Sequence, residues 1–130
     1  MIIDTSALVA IAAREAGHEE LISVIEASAH TEMSSVTHLE LLVVLGSKRF
    51  AISDRGVTEL LRGLDIQVVG FTPAHAQVAA QAYARFGKGN HSARLNMGDC
   101  ASYATARISG DSLLYVGKDF AQTDIASAVV

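Results

Sequence analysis

Residues 1–13, MIIDTSALVAIAA, place one carboxylate between two apolar runs. Ile2 and Ile3 are typical of a buried strand, and the stretch from Ala7 onward is almost entirely apolar. A charged group in apolar surroundings costs on the order of several kcal/mol unless another group offsets its charge. Asp4 therefore either caps the segment that follows or is held at a strand end to bind something positive.

The composition predicts a folded protein and limits its class. With 50% hydrophobic and 18% charged residues, we expect one domain over residues 1–130 and no disordered chain. The net charge of −4 does not favour a strongly basic nucleic-acid binder, although an enzyme acting on nucleic acid can have an acidic, cation-binding site. Cys100 is the only cysteine, so an intramolecular disulfide and a thiolate metal cluster are excluded.

The apolar N-terminus does not have the pattern of a signal peptide. No Lys or Arg precedes it, and Asp4 interrupts it. No uninterrupted apolar run approaches the roughly 20 residues that a membrane-spanning helix needs. We therefore expect no membrane contact and a cytoplasmic location.

Short apolar strands alternate with longer amphipathic helices along the chain. The pattern predicts helices over about 6–14, 18–30, 36–50, 53–64, 73–86 and 98–108, with Thr5 or Ser6 capping the first. It predicts strands over 2–4, 31–36, 66–71 and 113–116, and a last edge strand over 125–130. Such alternation predicts an α/β fold, with a mainly parallel sheet of four to five strands and helices on both faces.

Four carboxylates stand out against this pattern: Asp4, Glu40, Asp99 and Asp119. Two follow predicted strands and two lie in apolar helices. Taken singly, they could be an N-cap, an exposed helix face, a first-turn charge and a solvated loop residue. Ligands of open parallel sheets bind beyond the carboxyl ends of the strands, so the four acids could meet there. An all-oxygen cluster would need a hard cation, Mg²⁺ or Mn²⁺, which can activate water against a phosphodiester.

Four stretches resemble, in order, the motifs of PIN-domain ribonucleases, and among them the VapC toxins of VapBC toxin–antitoxin modules: IIDTSALVA, VTHLELL, LNMGDCASYATA and LLYVGKDFAQTDI. The resemblance implies a PIN-like three-layer α/β/α fold and a Mg²⁺-dependent endoribonuclease, the toxin of a type II system. It also implies an RNA substrate, a VapB-like antitoxin partner and a homodimer.

The same resemblance assigns the site. Asp4, Glu40, Asp99 and Asp119 would be the catalytic and metal-binding residues, with Mg²⁺ (Mn²⁺ possible) as cofactor, and the Ser6 hydroxyl would hydrogen-bond within their pocket. Many relatives carry an acid two places before the Asp-Phe pair, where this chain has Gly117. Asp119 is therefore chosen as the fourth ligand, and Asp124 as a helper.

A basic segment, RFGKGNHSAR at 85–94, directly precedes the third motif. Because an acidic pocket repels phosphate, nearby cations should help to hold RNA. The candidates are Arg85, Lys88, His91 and Arg94. The alternative is a solvated, mobile loop.

Two other classes of protein share parts of this pattern. A receiver-like signalling domain would need an acid at the end of its central strand, and the strand IQVVGF ends without one. A catalytically inactive domain that uses the acidic pocket to bind a protein partner stays open as an alternative.

Overall fold

The computed structural model describes residues 1–129. In this range four strands and six helices form, followed by one turn of 3-10 helix at Phe120–Gln122. The strands are β1 Ile2–Ile3, β2 Glu32–Ser34, β3 Gln67–Val69 and β4 Leu113–Leu114. The helices are α1 Thr5–Ala12, α2 His18–Ala27, α3 Ser35–Leu45, α4 Asp54–Gly63, α5 Pro73–Phe86 and α6 Met97–Ser109.

The four strands form one sheet in the order β3-β2-β1-β4, and every neighbouring pair is parallel. The predicted α/β class is confirmed. The expected edge strand over 125–130 is reduced to a single bridge between Leu113 and Ser127, and Val130 lies outside the described residues. Among residues 1–129, no helix combines the length and the apolar character needed to cross a bilayer.

Alternating side chains of the central strands enter two separate cores. Ile3 and Leu114 are fully buried in a core shared with helices α1 to α4. Ile2 and Leu113 are fully buried on the opposite face, against α5 and α6. Because successive side chains of a strand point to opposite faces, two-residue strands are enough to join both cores. The result is the predicted three-layer α/β/α arrangement.

Local chemistry sets the helix boundaries, and several differ from expectation; α2, for example, ends at Ala27 instead of residue 30. Asp4 caps α1 by accepting a hydrogen bond from Ser6 N (3.0 Å), so the prediction that Thr5 or Ser6 caps this helix is wrong. Helix α3 ends at Leu45 instead of continuing to residue 50, because Gly46 follows and the chain folds back. In that reversal, Ile52 N donates to Leu45 O (2.8 Å).

The strand order reverses direction at β1. The chain adds β2 and β3 on one side of β1 and then places β4 on the other side. A crevice for ligands forms at such a switch point, beyond the carboxyl ends of the two diverging strands. Asp4 follows β1 directly, and the loop with Asp119 follows β4. The topology therefore brings these two acids to the same edge of the sheet.

Candidate active site

Asp4 is the buried centre of the site, with 3% of its surface exposed. Its Oδ2 accepts hydrogen bonds from Ser6 N (3.0 Å) and Ser6 Oγ (2.6 Å). Its Oδ1 accepts a third from Ser102 Oγ (2.7 Å). Short hydrogen bonds of this kind fix the direction of the carboxylate. The Asp4 carboxylate therefore both caps α1 and lies at the crevice beyond β1.

Two buried hydroxyls behind Asp4 were missed by the sequence analysis. Ser102 Oγ and Thr37 Oγ1 lie 3.0 Å apart, and both residues are fully buried. They connect α6 and α3 to the end of β1. The available signal was a hydroxyl residue at a core position of each helix, since a buried hydroxyl needs a hydrogen-bond partner.

Ser6 joins the ends of the two diverging strands. Besides donating to Asp4, its Oγ accepts a hydrogen bond from Val116 N (3.0 Å), which lies just beyond β4. The expected hydrogen bond of Ser6 to an acid of the pocket is present in the structure. It also holds the chain that leads to Asp119 against the start of α1.

Asp99 lies in the first turn of α6, in a capping box with Asn96. Asn96 N donates to Asp99 Oδ2 (2.9 Å), and Asp99 N donates to Asn96 Oδ1 (2.8 Å). Burial raises the pKa of Asp99 to about 6, against the lowering effect of its hydrogen bond with Asn96. The negative charges of Asp4, Glu40 and Asp119 raise the pKa further. All four predicted acids therefore interact electrostatically around the N-terminus of α6.

Glu40 reaches this N-terminus from α3 and lies directly against Gly98. A Cβ atom on Gly98 would be 2.5 Å from Glu40 Oε2 and 3.0 Å from its Cδ. Real Cβ atoms do not approach other atoms so closely, so any larger residue at 98 would displace the carboxylate. The glycine before Asp99 thus makes room for the second acid.

Asp119 lies at the open side of the acidic cluster. It is exposed and precedes the 3-10 turn, and within the described chain its side chain caps none of the free N–H groups of that turn. It shares a cavity of about 340 Å³ with Lys88, Arg94 and Asn96. Two predicted RNA-binding cations therefore lie beside a predicted metal ligand.

Asp124 does not have the surroundings expected of a helper in the acidic pocket. Tyr103 Oη donates to its Oδ1 (2.6 Å), and Arg85 Nη1 and Arg107 Nη1 lie 3.4 and 3.6 Å from its Oδ2. The Tyr103 hydrogen bond is the main cause that lowers the pKa of Asp124. Its carboxylate is thus engaged by α5 and α6, and its proposed helper role is not supported by these contacts.

The basic segment divides into two parts. Arg85 pairs with Asp124 and lies over the Phe86 ring (4.6 Å to the centroid). His91 packs edge-on against Phe86 (5.2 Å between centroids), and its Nδ1 accepts from Ala93 N (3.0 Å). Both side chains are engaged within the protein. The loop is also tied back to α5, since Leu95 N donates to Phe86 O (3.0 Å).

A comparison with known families decides what kind of domain this is. The model of the PIN domain family matches residues 1–126. The chain belongs to the PIN domain family. The resemblance of the four motifs is confirmed.

Curated relatives of this PIN domain share its full length. It is 43% identical over 127 residues to VapC ribonuclease Mb2004c of Mycobacterium bovis, covering 96% of this chain and 91% of the relative. It is 43% identical over 129 residues to ribonuclease VapC42 of Mycobacterium tuberculosis, covering 98% of each. The similarity to relatives named as VapC ribonucleases therefore extends over nearly the whole chain.

Solved structures with lower sequence identity have the same fold. Mycobacterium tuberculosis VapC20, described as a sarcin–ricin-loop-cleaving toxin, has a TM-score of 0.73 and 19% identity, covering 96% of this chain and 95% of that one. A toxin–antitoxin complex from Klebsiella pneumoniae contains a chain with a TM-score of 0.68 and 18% identity, covering 95% and 92%. At these identities the likeness concerns the fold.

PIN-domain VapC ribonucleases generally depend on a divalent metal, and the donor chemistry of this PIN domain suits one. Its convergent acids offer only carboxylate oxygens, the ligands of hard cations. Over residues 1–129, no three acidic, His or Cys side chains are close enough as they stand to hold one ion. Mutual repulsion opposes closer approach of carboxylates, and a cation between them would remove it. The chemistry of the residues therefore fits a divalent metal.

Proposed function

We propose that this PIN domain is the toxin of a type II toxin–antitoxin pair and acts as a Mg²⁺-dependent endoribonuclease. The observation that carries the proposal is the placement of Asp4 directly beyond β1 and of the Glu40 carboxylate against Gly98, the residue before Asp99. The names of the full-length relatives, VapC ribonucleases, supply the substrate class. Convergent carboxylates at a strand-end crevice suit hydrolysis of a phosphodiester by water.

The four acids would hold the metal, Mg²⁺ or in its place Mn²⁺. When bound, it would supply a Lewis acid for the phosphate and lower the pKa of an attacking water. Ser6 and Ser102 orient the Asp4 carboxylate, and Asn96 orients that of Asp99. This preorganisation matters because charged groups that need not rearrange stabilise a transition state best.

Lys88 and Arg94 would hold the RNA beside the acids. They face the same cavity as Asp119, so a phosphate could contact them while the scissile bond lies over the acidic cluster. Lys and Arg supply charge-assisted hydrogen bonds to phosphate oxygens. Arg85 and His91 are left out of this part of the proposal, because other protein groups already engage both side chains.

The toxin assignment brings further proposed properties. An antitoxin protein would bind the toxin, the toxin would form a homodimer, and the pair would act in the cytoplasm. The alternative is a catalytically inactive domain whose acidic pocket serves only to bind a protein partner. The two proposals differ in whether purified protein cleaves RNA.

The test is cleavage of total cellular RNA by the purified, antitoxin-free protein with Mg²⁺ or with EDTA. Glu40→Gln and Asp99→Asn should each lower the rate by about 100-fold or more, the order found when one stabilising polar group is removed. Asn at 99 can still accept the hydrogen bond from Asn96. Asp4 is less suitable, because an amide would replace one of its oxygens, which together accept three hydrogen bonds.

Matched controls remove the same charges elsewhere. Asp54→Asn changes an acid in the first turn of α4, and Glu59→Gln changes an exposed glutamate of the same helix. Both should cleave like the wild type. Cleavage that persists in EDTA, or in both site variants, contradicts the proposal. If the folded protein does not cleave RNA with Mg²⁺, the binding-only alternative is favoured.

A further inference from the structure

The segment that carries Asp119 is anchored at two points. Phe120, the next residue, is buried (3% exposed) and packs against Tyr115 with 5.1 Å between ring centroids. Four residues further on, Asp124 binds Tyr103 of α6. Between these two points, local hydrogen bonds hold the turn together: Thr123 Oγ1 and Thr123 N both donate to Phe120 O (2.7 and 3.0 Å). Asp119 thus extends from a small, internally bonded unit.

Tyr103 connects this unit to the helix that carries Asp99. The two residues are four positions apart on α6, so they lie on the same face, one turn from each other. The Tyr103 hydroxyl reaches Asp124 at 2.6 Å. This hydrogen bond therefore links the Asp119 unit to the face of α6 that presents Asp99.

The hydroxyl matters more than the two arginines that also approach Asp124. Arg85 and Arg107 are more than half exposed and lie 3.4 and 3.6 Å from the carboxylate, the kind of surface pair that contributes little. Tyr103 is 3% exposed, and its hydrogen bond to a charged acceptor is short. Bonds of this class are roughly twice as strong as neutral ones.

We infer that Tyr103, through its hydrogen bond to Asp124, is a positioning residue that fixes Asp119 relative to Asp99 and so raises the affinity of the acidic site for Mg²⁺. The inference rests on the proposed function, because it takes these two acids as ligands of one metal site. Neither Tyr103 nor Asp124 contacts the metal in this arrangement. Asp124 would therefore act on the acidic site through its hydrogen bond to Tyr103, and not from within the pocket as predicted from the sequence.

The test measures Mg²⁺ binding to the purified full chain by isothermal titration calorimetry, together with the melting temperature. Tyr103→Phe removes the hydroxyl and keeps the ring that packs 5.9 Å from Phe86. We expect its Mg²⁺ dissociation constant to rise on the order of tenfold, the lower end of the effect of groups that support metal ligands. Asp124→Ala should give the same rise, and the double variant should be no weaker than either single one.

Two further variants separate positioning from general stability. Asp124→Asn keeps an acceptor oxygen for Tyr103 but makes it neutral, and it loses the charge that pairs with the arginines, so its Mg²⁺ affinity should lie between those of the wild type and Asp124→Ala. Ser53→Ala removes the cap of α4, whose hydroxyl accepts from Gly56 N (3.1 Å). It should lower the melting temperature without changing Mg²⁺ affinity.

Three results would overturn the inference, and the third would also contradict the proposed metal dependence. Unchanged Mg²⁺ affinity in Tyr103→Phe, with a fall in melting temperature like that of Ser53→Ala, would make the bond purely structural. Weak binding by both Asp124→Asn and Asp124→Ala, combined with wild-type binding by Tyr103→Phe, would assign the effect to the arginines. If the wild type binds no Mg²⁺, both the inference and the proposed metal dependence fail, whereas the first two results leave the proposed function intact.

Discussion

The acidic cluster has an inner half and an outer half, and they are built differently. In the inner half, Asp4 is buried and accepts hydrogen bonds from Ser6 and Ser102, while Glu40 lies against Gly98. In the outer half, Asp119 is exposed beside Lys88 and Arg94. Inner side chains are oriented by the protein itself, whereas the outer ones face solvent.

The difference suggests a division of labour. Side chains fixed by packing and hydrogen bonds suit a task that needs constant geometry, such as holding a metal. Exposed cations suit contact with a flexible polyanion, where affinity comes mainly from charge. We therefore expect changes in the inner half to impair catalysis at constant RNA affinity. Changes at Lys88 and Arg94 in the outer half should weaken RNA binding at constant Mg²⁺ affinity.

The largest effect is expected for Gly98→Ala in the inner half. The new methyl group would lie 2.5 Å from Glu40 Oε2, so the flexible end of Glu40 must move while the helix backbone stays. Displacement of a catalytic group by about 1 Å can cost on the order of 100-fold in rate. Alanine also loses less backbone entropy than glycine on folding, which offsets part of the strain at this first-turn position of α6. Cleavage should therefore fall sharply while the melting temperature changes little.

Gly63→Ala is the matched control for that variant. Gly63 ends α4, and a Cβ atom there would meet no other group within 4 Å among the described residues. Its cleavage rate should equal that of the wild type. RNA affinity, measured with EDTA present, should be unchanged in both glycine variants. A normal cleavage rate in Gly98→Ala would show that the position of Glu40 does not matter.

A smaller effect is expected for Lys88→Ala and Arg94→Ala in the outer half. Each should weaken RNA binding and lower the slope of log affinity against log salt by roughly 0.7, the value for one contact to a single strand. Fluorescence anisotropy with labelled RNA at several salt concentrations measures both quantities, and calorimetry should show unchanged Mg²⁺ affinity. Arg62→Ala, on exposed α4 surface, is the control. An unchanged salt slope in both variants would remove these residues from the RNA contact.

The inner half could be predicted from sequence because its signals are local. Asp4 directly follows an apolar strand, and Glu40 and Asp99 interrupt apolar helices, so each conflicts with the pattern around it. Such conflicts are expected at functional sites. Parallel strands then bring their carboxyl ends to one edge, which places the acids together. The α/β fold was predicted by the same local alternation of strand and helix.

The surroundings of the outer half could not be predicted, because they depend on tertiary contacts between distant parts of the chain. Arg85 and Asp124 are 39 positions apart, and only the fold brings their side chains into contact. His91 looked like a free cation, yet it packs against Phe86. Their position in the sequence predicted that Arg85, His91 and Asp124 lie near the site. Only the folded structure shows that these side chains contact other parts of the protein.

The smallest expected effect concerns Asp99, which lies between the two halves. Burial raises its pKa from 3.8 to about 6, and the charges of Asp4, Glu40 and Asp119 add to the rise. The folded protein therefore holds this proton more tightly than the unfolded chain. The free energy of unfolding without metal should therefore increase as the pH falls through 6 toward 4. Above pH 6 the destabilising effect of the Asp99 charge is fully present. Because the side chain is only half-buried, we expect a change on the order of 1 kcal/mol.

Urea denaturation in EDTA at pH 7.5 and pH 5 measures this change. Asp99→Asn has no charge at this position, so it should be more stable than the wild type at pH 7.5, and the difference should shrink at pH 5. Histidines titrate in the same range in both proteins, so the difference between the two isolates Asp99. Equal stability of the two proteins at both pH values would mean that neither burial nor the neighbouring acids penalise the charge of Asp99 in the free protein.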